Sequence, residues 1–311
     1  QSLASDPYVS SVAAGTWSSA TAIGTATQGA MGFGTSTANI MAGGLQPGGV
    51  VTESFTYNGT SWTDVGDVAT ARRGGQGLGA SSSAGMIVAG YTTTYVAVVE
   101  EYNGTAWSEE ADLNTARTQL GGSGSVTAAV VAGGEEPSGT DDASEEYDGT
   151  SWAEGNDLNT GRRELSGAQA APMTTALVFG GYTTPPQTSQ GYTETYDGTS
   201  WTELGDLNSK RELGGSGGDS NTNAIYFGGV NNPGSHVKGH TEAWDGSTWT
   251  EVSDLATARY GAQRSCGIST ATLAVGGTPP RTTSVEEWSV PSTVSVAQEG
   301  QTWYNTTSTV L

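Results

Sequence analysis

The sequence predicts an all-β fold, a six-bladed β-propeller of four-stranded antiparallel blades, and three observations predict it. A phrase close to Asn/Asp-Gly-Thr-Ser-Trp recurs with its tryptophan at Trp62, Trp107, Trp152, Trp201 and Trp249, and a sixth copy stands at Trp17; successive spacings are 45, 45, 45, 49 and 48 residues. The apolar runs are short and β-branched, and none sustains a 3.6-residue period. Units of this length made of short strands fit blades packed around an axis, whereas helical solenoids would need helix signals.

Within a unit the elements follow in a fixed order. Ten residues after the tryptophans come Thr27, Arg72, Arg117, Arg162, Arg211 and Arg259, at the entry to the first strand. The second strand is an apolar stretch ending in glycine, at 40–44, 86–90, 130–134, 177–181, 225–229 and 273–277. After a variable loop, the third strand ends on Tyr57, Tyr102, Tyr147, Tyr196, Trp244 or Trp288. Asn-Gly or Asp-Gly follows in the first five units, such as Asn58-Gly59, and supplies the positive φ of a tight hairpin. The sixth unit has no such turn, and the chain begins with an orphan strand at 11–17. That N-terminal strand is expected to close the last blade, which removes two exposed edges. The expected division is a propeller over 1–290, with blades 18–62, 63–107, 108–152, 153–201, 202–249 and 250–290 plus 8–17. A C-terminal docking tail occupies 291–311.

This pattern resembles the kelch repeat: an apolar strand ending in Gly-Gly, an aromatic residue, then a tryptophan at fixed distance, in six copies over residues 8–290. The resemblance implies four antiparallel strands per blade and a binding module rather than an enzyme. Asp-Gly-Thr-Ser-Trp is also similar to the sialidase Asp-box, but there one residue separates the Asp from the Gly.

Two residues before the third-strand aromatic lie Phe55, Glu100, Glu145, Glu194, Glu242 and Glu286. The unit that lacks the arginine, with Thr27, is the unit that lacks the glutamate. Strands one and three lie roughly 9–10 Å apart at ~4.8 Å per strand, and a glycine-rich second strand would leave the path between them clear. Five ion pairs inside the blades are therefore expected: Arg72–Glu100, Arg117–Glu145, Arg162–Glu194, Arg211–Glu242 and Arg259–Glu286.

Composition narrows the function. The chain of 311 residues carries 32 acids against 11 bases, a formal charge of −21, which argues against nucleic acid as a partner. No apolar run approaches the 18 residues of a membrane-spanning helix, so no membrane insertion is expected. A single cysteine, Cys266, excludes an internal disulfide framework. The chain starts at Gln1 without a methionine or a charged-then-apolar leader, as expected of a processed or excerpted segment.

Functional candidates are the features that break the repeat. The loops at 45–50, 91–95, 135–142, 182–190, 230–238 and 278–282 all differ, and the topology puts them on one face with the connections between blades. Tyr91, Tyr95, Tyr182, Asn231, Asn232, His236, His240 and Arg281 on or beside them offer stacking faces, amide donors and cations for a glycan or a partner protein. His236 and His240 stand four apart, with Glu242 near, but the glycines and Pro233 argue for a loop rather than a metal-binding helix. Glu135, Glu136, Asp141 and Asp142 lack calcium-loop spacing. No catalytic residue, metal or cofactor is expected.

The tail beyond residue 290 contains Gly-Gln-Thr-Trp-Tyr-Asn-Thr-Thr-Ser-Thr-Val-Leu, with Trp303 and Tyr304 as candidate subunit-docking residues. It resembles segments of structural proteins of tailed bacteriophages, marine ones especially, where kelch-like chains also occur. The expected function is a non-enzymatic virion-associated or surface protein, a tail, fibre or decoration component. It would sit on a virion or extracellular surface, bind other subunits through the tail, and present its loops to a host glycan or a neighbouring subunit. The alternative is a secreted carbohydrate-binding or carbohydrate-active propeller.

Overall fold

The computed structural model describes residues 15–263 and 266–291. Six four-stranded antiparallel sheets form a ring, and in five of them the strands follow chain order from the axis outward. Blade one consists of Met31–Thr35, Ala38–Ala42, Ser54–Tyr57 and Trp62–Val65. The first strands of blades two to five are Gln76–Ser81, Gly121–Ser125, Ser166–Gly167 and Gly215–Ser220. Blade six takes Gly267–Ile268, Ala271–Val275 and Val285–Ser289 from the C-terminal end of the ring. Its fourth strand is Thr16–Ala20, which pairs antiparallel with Val285–Ser289 and sets Trp17 opposite Trp288.

That closing strand starts near its tryptophan rather than ending at it, and the outer strands Trp62–Val65, Trp107–Glu109, Trp152–Glu154, Trp201–Glu203 and Trp249–Val252 do the same. The turn chemistry explains the shift. Asn58 Oδ1 accepts the backbone N–H groups of Thr60 and Ser61, so strand pairing resumes only at Trp62, opposite Tyr57. Each blade therefore runs a few residues past the boundary read from sequence; residues 8–14 of the expected closing segment lie outside the described residues.

The paired aromatics pack ring to ring within each blade, from 4.8 Å between centroids for Tyr57–Trp62 to 5.5 Å for Trp17–Trp288, worth ~0.5–1.5 kcal/mol per pair beyond area burial. The apolar core lies between neighbouring sheets. Leu78, Val88 and Val99 of blade two, for example, bury against Leu120, Val131 and Tyr147 of blade three.

First strands of successive blades touch all the way round the axis, and their glycines are a matter of space. A Cβ on Gly77 would lie 2.0 Å from the carbonyl oxygen of Gly32, and one on Gly167 would lie 2.4 Å from that of Gly122. The glycine-rich strand is thus the first, not the second as expected from sequence. Blade four contributes Gln169, whose carbonyl accepts from Gly79 and Gly124 while its Nε2 donates to Gly267. One residue so ties blades two, three and six together.

Two circuits of backbone hydrogen bonds close the ring. In the first, Gly74 N–H donates to Gly29, Gln119 to Gly74, Glu164 to Gln119, Leu213 to Glu164, Gly261 to Leu213 and Gly29 to Gly261, at 2.7–3.1 Å. All six residues sit in the left-handed region with φ of 58–70°. In the second, Gly44, Gly90, Gly134, Gly181, Gly229 and Gly277 donate to the carbonyls of Arg72, Arg117, Arg162, Arg211, Arg259 and Thr27 of the next blade, at 2.8–3.0 Å.

The arginines then bind inside their own blades. Arg117–Glu145 and Arg259–Glu286 pair at 2.9 Å and Arg162–Glu194 at 2.5 Å, with Arg72–Glu100 and Arg211–Glu242 paired likewise. The arginine stem crosses the end of the second strand against its last glycine: a Cβ on Gly181 would lie 3.3 Å from Arg162 Cδ. Each glutamate also accepts a backbone N–H from the connection that enters its blade, such as Asn114 N to Glu145 Oε2 at 2.7 Å. Burial lowers the pKa of Arg72 and Arg259, against the pull of Glu100 and Glu286.

Candidate binding site on the loop face

Second-to-third-strand loops and interblade connections share one face, as antiparallel topology requires. Four of the loops are themselves two-stranded hairpins: Leu45–Gln46 with Gly49–Val50, Glu135–Glu136 with Gly139–Thr140, Tyr182–Thr183 with Thr188–Ser189, and Val230–Asn231 with His236–Val237. In blade two the strands Ala84–Tyr91 and Tyr95–Tyr102 simply run on into a longer hairpin. Each loop is anchored by a bridge to the residue that follows the arginine position: Gln28–Leu45, Arg73–Tyr91, Thr118–Glu135, Arg163–Tyr182, Glu212–Val230 and Tyr260–Thr278.

The hairpins of blades three, four and five are laced together. Thr140 and Thr184 share a hydroxyl hydrogen bond of 2.9 Å, and Glu135 pairs with Arg163. Ser189 N–H donates to the Asn232 carbonyl at 3.2 Å, and Asn232 N–H donates to Ser189 Oγ at 2.6 Å. Beneath them Glu212 is buried and accepts from the Ser189 hydroxyl and from Asn232 Nδ2. Desolvation pushes its carboxyl up to about 7 despite those two donors, with Glu164 nearby adding to the rise.

Between blades two and three a pocket of about 270 Å³ opens, lined by Arg73, Gly74, Tyr91, Tyr95, Thr118, Gln119 and Glu135. Tyr91 and Tyr95 meet edge to face at 5.6 Å, and the Arg73 guanidinium lies 5.7 Å from the Tyr91 ring centre. Among the described residues Arg73 makes no ion pair, whereas Arg163, its counterpart two blades on, is paired with Glu135. Gln119 Oε1 is buried and accepts no hydrogen bond. Gln119 occupies the left-handed position taken by glycine at 29, 74 and 261, so its side chain is a substitution against backbone preference. The pocket combines aromatic faces, an uncompensated cation, an acceptor and a carboxylate.

The other residues singled out in the sequence are distributed differently. Tyr182 is buried beneath Arg163, whose guanidinium lies 5.1 Å from the ring centre, so it presents no free face. The Asn232 amide is occupied by Glu212, and Asn231 bridges His236 in its hairpin. His236 is exposed, while His240 immediately precedes the third strand, Thr241–Trp244. Glu242 is taken up by Arg211, and the acids brought to His240 are Glu251 and Asp254. The acidic run of blade three is divided, Asp141 going to Arg117 at 3.0 Å and Glu135 to Arg163. Arg281 is half-buried in the loop of blade six. Cys266 is fully buried, accepts from Asn39 Nδ2 at 2.9 Å, and has its thiol pushed up to about 12 by burial. Trp303 and Tyr304 lie outside the described residues. Sequence reasoning missed Arg73, Gln119 and Glu212; the available signal was their place one or two residues after the repeated arginine, where the six units differ.

A scan against family models finds no match to this chain, and a search of curated proteins finds none either. The chain folds as a six-bladed β-propeller.

Proposed function

We propose that the protein is a non-enzymatic binding propeller of the kelch type. It would be a virion-associated or surface structural component whose loop face contacts a host glycan or a neighbouring subunit. The observation that carries the binding reading is the pocket between blades two and three, where Arg73 makes no ion pair among the described residues of a chain of formal charge −21. Tyrosines supply rigid amphipathic contact area, and a guanidinium forks onto a carboxylate or sulfate. An acidic glycan therefore fits better than a neutral one. The large buried arginines and glutamates that could be read as a catalytic ring are committed to clamping their own blades.

The test is retention on an array holding neutral, carboxylated and sulfated glycans. Retention of acidic glycans that falls at least 10-fold in Arg73→Gln and in Tyr95→Ala, with unchanged melting temperature, is the expected result. No retention, or retention indifferent to both substitutions, removes the pocket from the reading. The structural role is checked separately: deleting residues 291–311 should abolish incorporation into particles or oligomers while leaving array binding intact.

A further inference from the structure

We propose a transition-metal site of the zinc type on the outer rim of blade five, formed by His240, Glu251 and Asp254. One ligand atom from each lies within 4.8 Å of the other two. Bonds of 2.0–2.2 Å to nitrogen and oxygen put ligand atoms about 3.4 Å apart in a tetrahedral shell. The two carboxylates are exposed, so side-chain rotation alone can close that gap.

Comparison of the blades separates architecture from ligand. The acidic pair recurs as Asp64 and Asp67, Glu109 and Asp112, Glu154 and Asp157, and Glu203 and Asp206. Its second member has a structural task, since Asp112 Oδ1 accepts Val99 N–H at 3.3 Å and Asp254 Oδ1 accepts Thr241 N–H at 3.2 Å. That bond orients the Asp254 carboxylate and leaves its other oxygen free for a metal. The position of His240 is not repeated: it holds Glu53, Val98, Ala143, Tyr192 and Ser284 in the other blades. Only blade five adds an imidazole to the acidic pair. The backbone at His240 is held as well, its carbonyl accepting Gly228 N–H at 2.9 Å.

The donor set selects the ion. Calcium takes six to eight oxygens and magnesium an oxygen octahedron, whereas one imidazole with two carboxylates suits zinc and its neighbours. Three protein ligands leave a coordination position open on the rim of the loop face. The site is independent of the glycan pocket.

Zinc chloride titrated into the full chain by calorimetry should show one site per chain, lost in His240→Gln and weakened in Glu251→Gln, with Mg²⁺ and Ca²⁺ giving no heat. His236→Gln removes the chain's other histidine and should leave binding unchanged. His240→Gln is expected to fold because its equivalent positions already hold valine, alanine, tyrosine and serine, and Glu251→Gln because it alters an exposed side chain. Absence of zinc binding, or binding that survives His240→Gln, overturns the proposal.

Discussion

Blade one and blade four hold the same four-stranded twist by different means. In blade four, Arg162 reaches over Gly181 to Glu194, and Glu194 also accepts from both the backbone and the side chain of Asn159 in the entering connection. In blade one, Thr27 and Phe55 occupy the two positions, and Phe55 packs instead against the apolar cluster that includes Ile23, Met41 and Tyr57. Gly44 stays glycine there because a Cβ would lie 2.7 Å from Thr27 Cγ2. The polar clamp is therefore one solution to fastening a connection across a blade end, and an apolar contact is another. Buried ion pairs rarely out-stabilise a well-packed apolar replacement, yet breaking one by removing a partner is costly.

The largest expected effect breaks the clamp on one side. Glu194→Gln leaves the fully buried Arg162 guanidinium without its carboxylate and should lower unfolding free energy by about 3–5 kcal/mol, read from urea denaturation. Glu145→Gln should cost less, because Arg117 keeps Asp141 at 3.0 Å. No loss in either variant would show that the pairs do not hold the connections, and equal losses would show that Asp141 does not replace Glu145 at Arg117.

Glu212 sharpens the contrast, as a buried carboxyl held by neutral donors rather than by an arginine clamp. Its folded pKa of about 7 lies above the ordinary 4.5, so the folded state holds the proton more tightly. The stability it contributes is fully present below pH 4.5 and is lost as pH rises through about 7. Over that window the loss is about 3 kcal/mol at 1.36 kcal/mol per pH unit. Subtracting the pH profile of Glu212→Gln from that of the natural chain isolates this slope, and a flat difference would count against the assignment.

The fold was legible in the sequence because the repeat carries three local signals at once: the Asx-Gly turn, the apolar strand ending in glycine, and the tryptophan. Trp17 at one end and Trp288 at the other made closure readable, since each lacked the half that the other supplied. Much less of the site was legible. Tyr91 and Tyr95 stood out as aromatic residues in a variable loop, but the pocket depends on Arg73 and Gln119, which belong to different blades and meet only across the axial circuit. Tyr182 carried the same sequence signal as Tyr91 and is buried, because Arg163 has been drawn over it by Glu135. Exposure at Tyr182 was decided by Arg163 and Glu135, 19 and 47 residues back along the chain, and not by local composition.

The smallest effect tests whether one blade interface can be improved by copying another. Trp249 Nε1 donates to Thr193 Oγ1 of the preceding blade at 2.9 Å, and Trp17 Nε1 donates to Thr241 Oγ1 in the same manner at 3.0 Å. At the equivalent interface Trp152 and Val99 belong to one buried apolar cluster, and among the described residues the buried indole N–H has no hydrogen-bond partner. A buried donor left unmade costs ~1–3 kcal/mol, while a made hydrogen bond contributes ~1 kcal/mol net. Val99→Thr keeps the β-branched shape and offers the missing oxygen, at the expense of burying a hydroxyl. A gain of about 1 kcal/mol in unfolding free energy is expected. A loss of that size would mean that the indole of Trp152 is not aimed at residue 99 as those of Trp249 and Trp17 are at Thr193 and Thr241, and that the six interfaces repeat in sequence more closely than in hydrogen bonding.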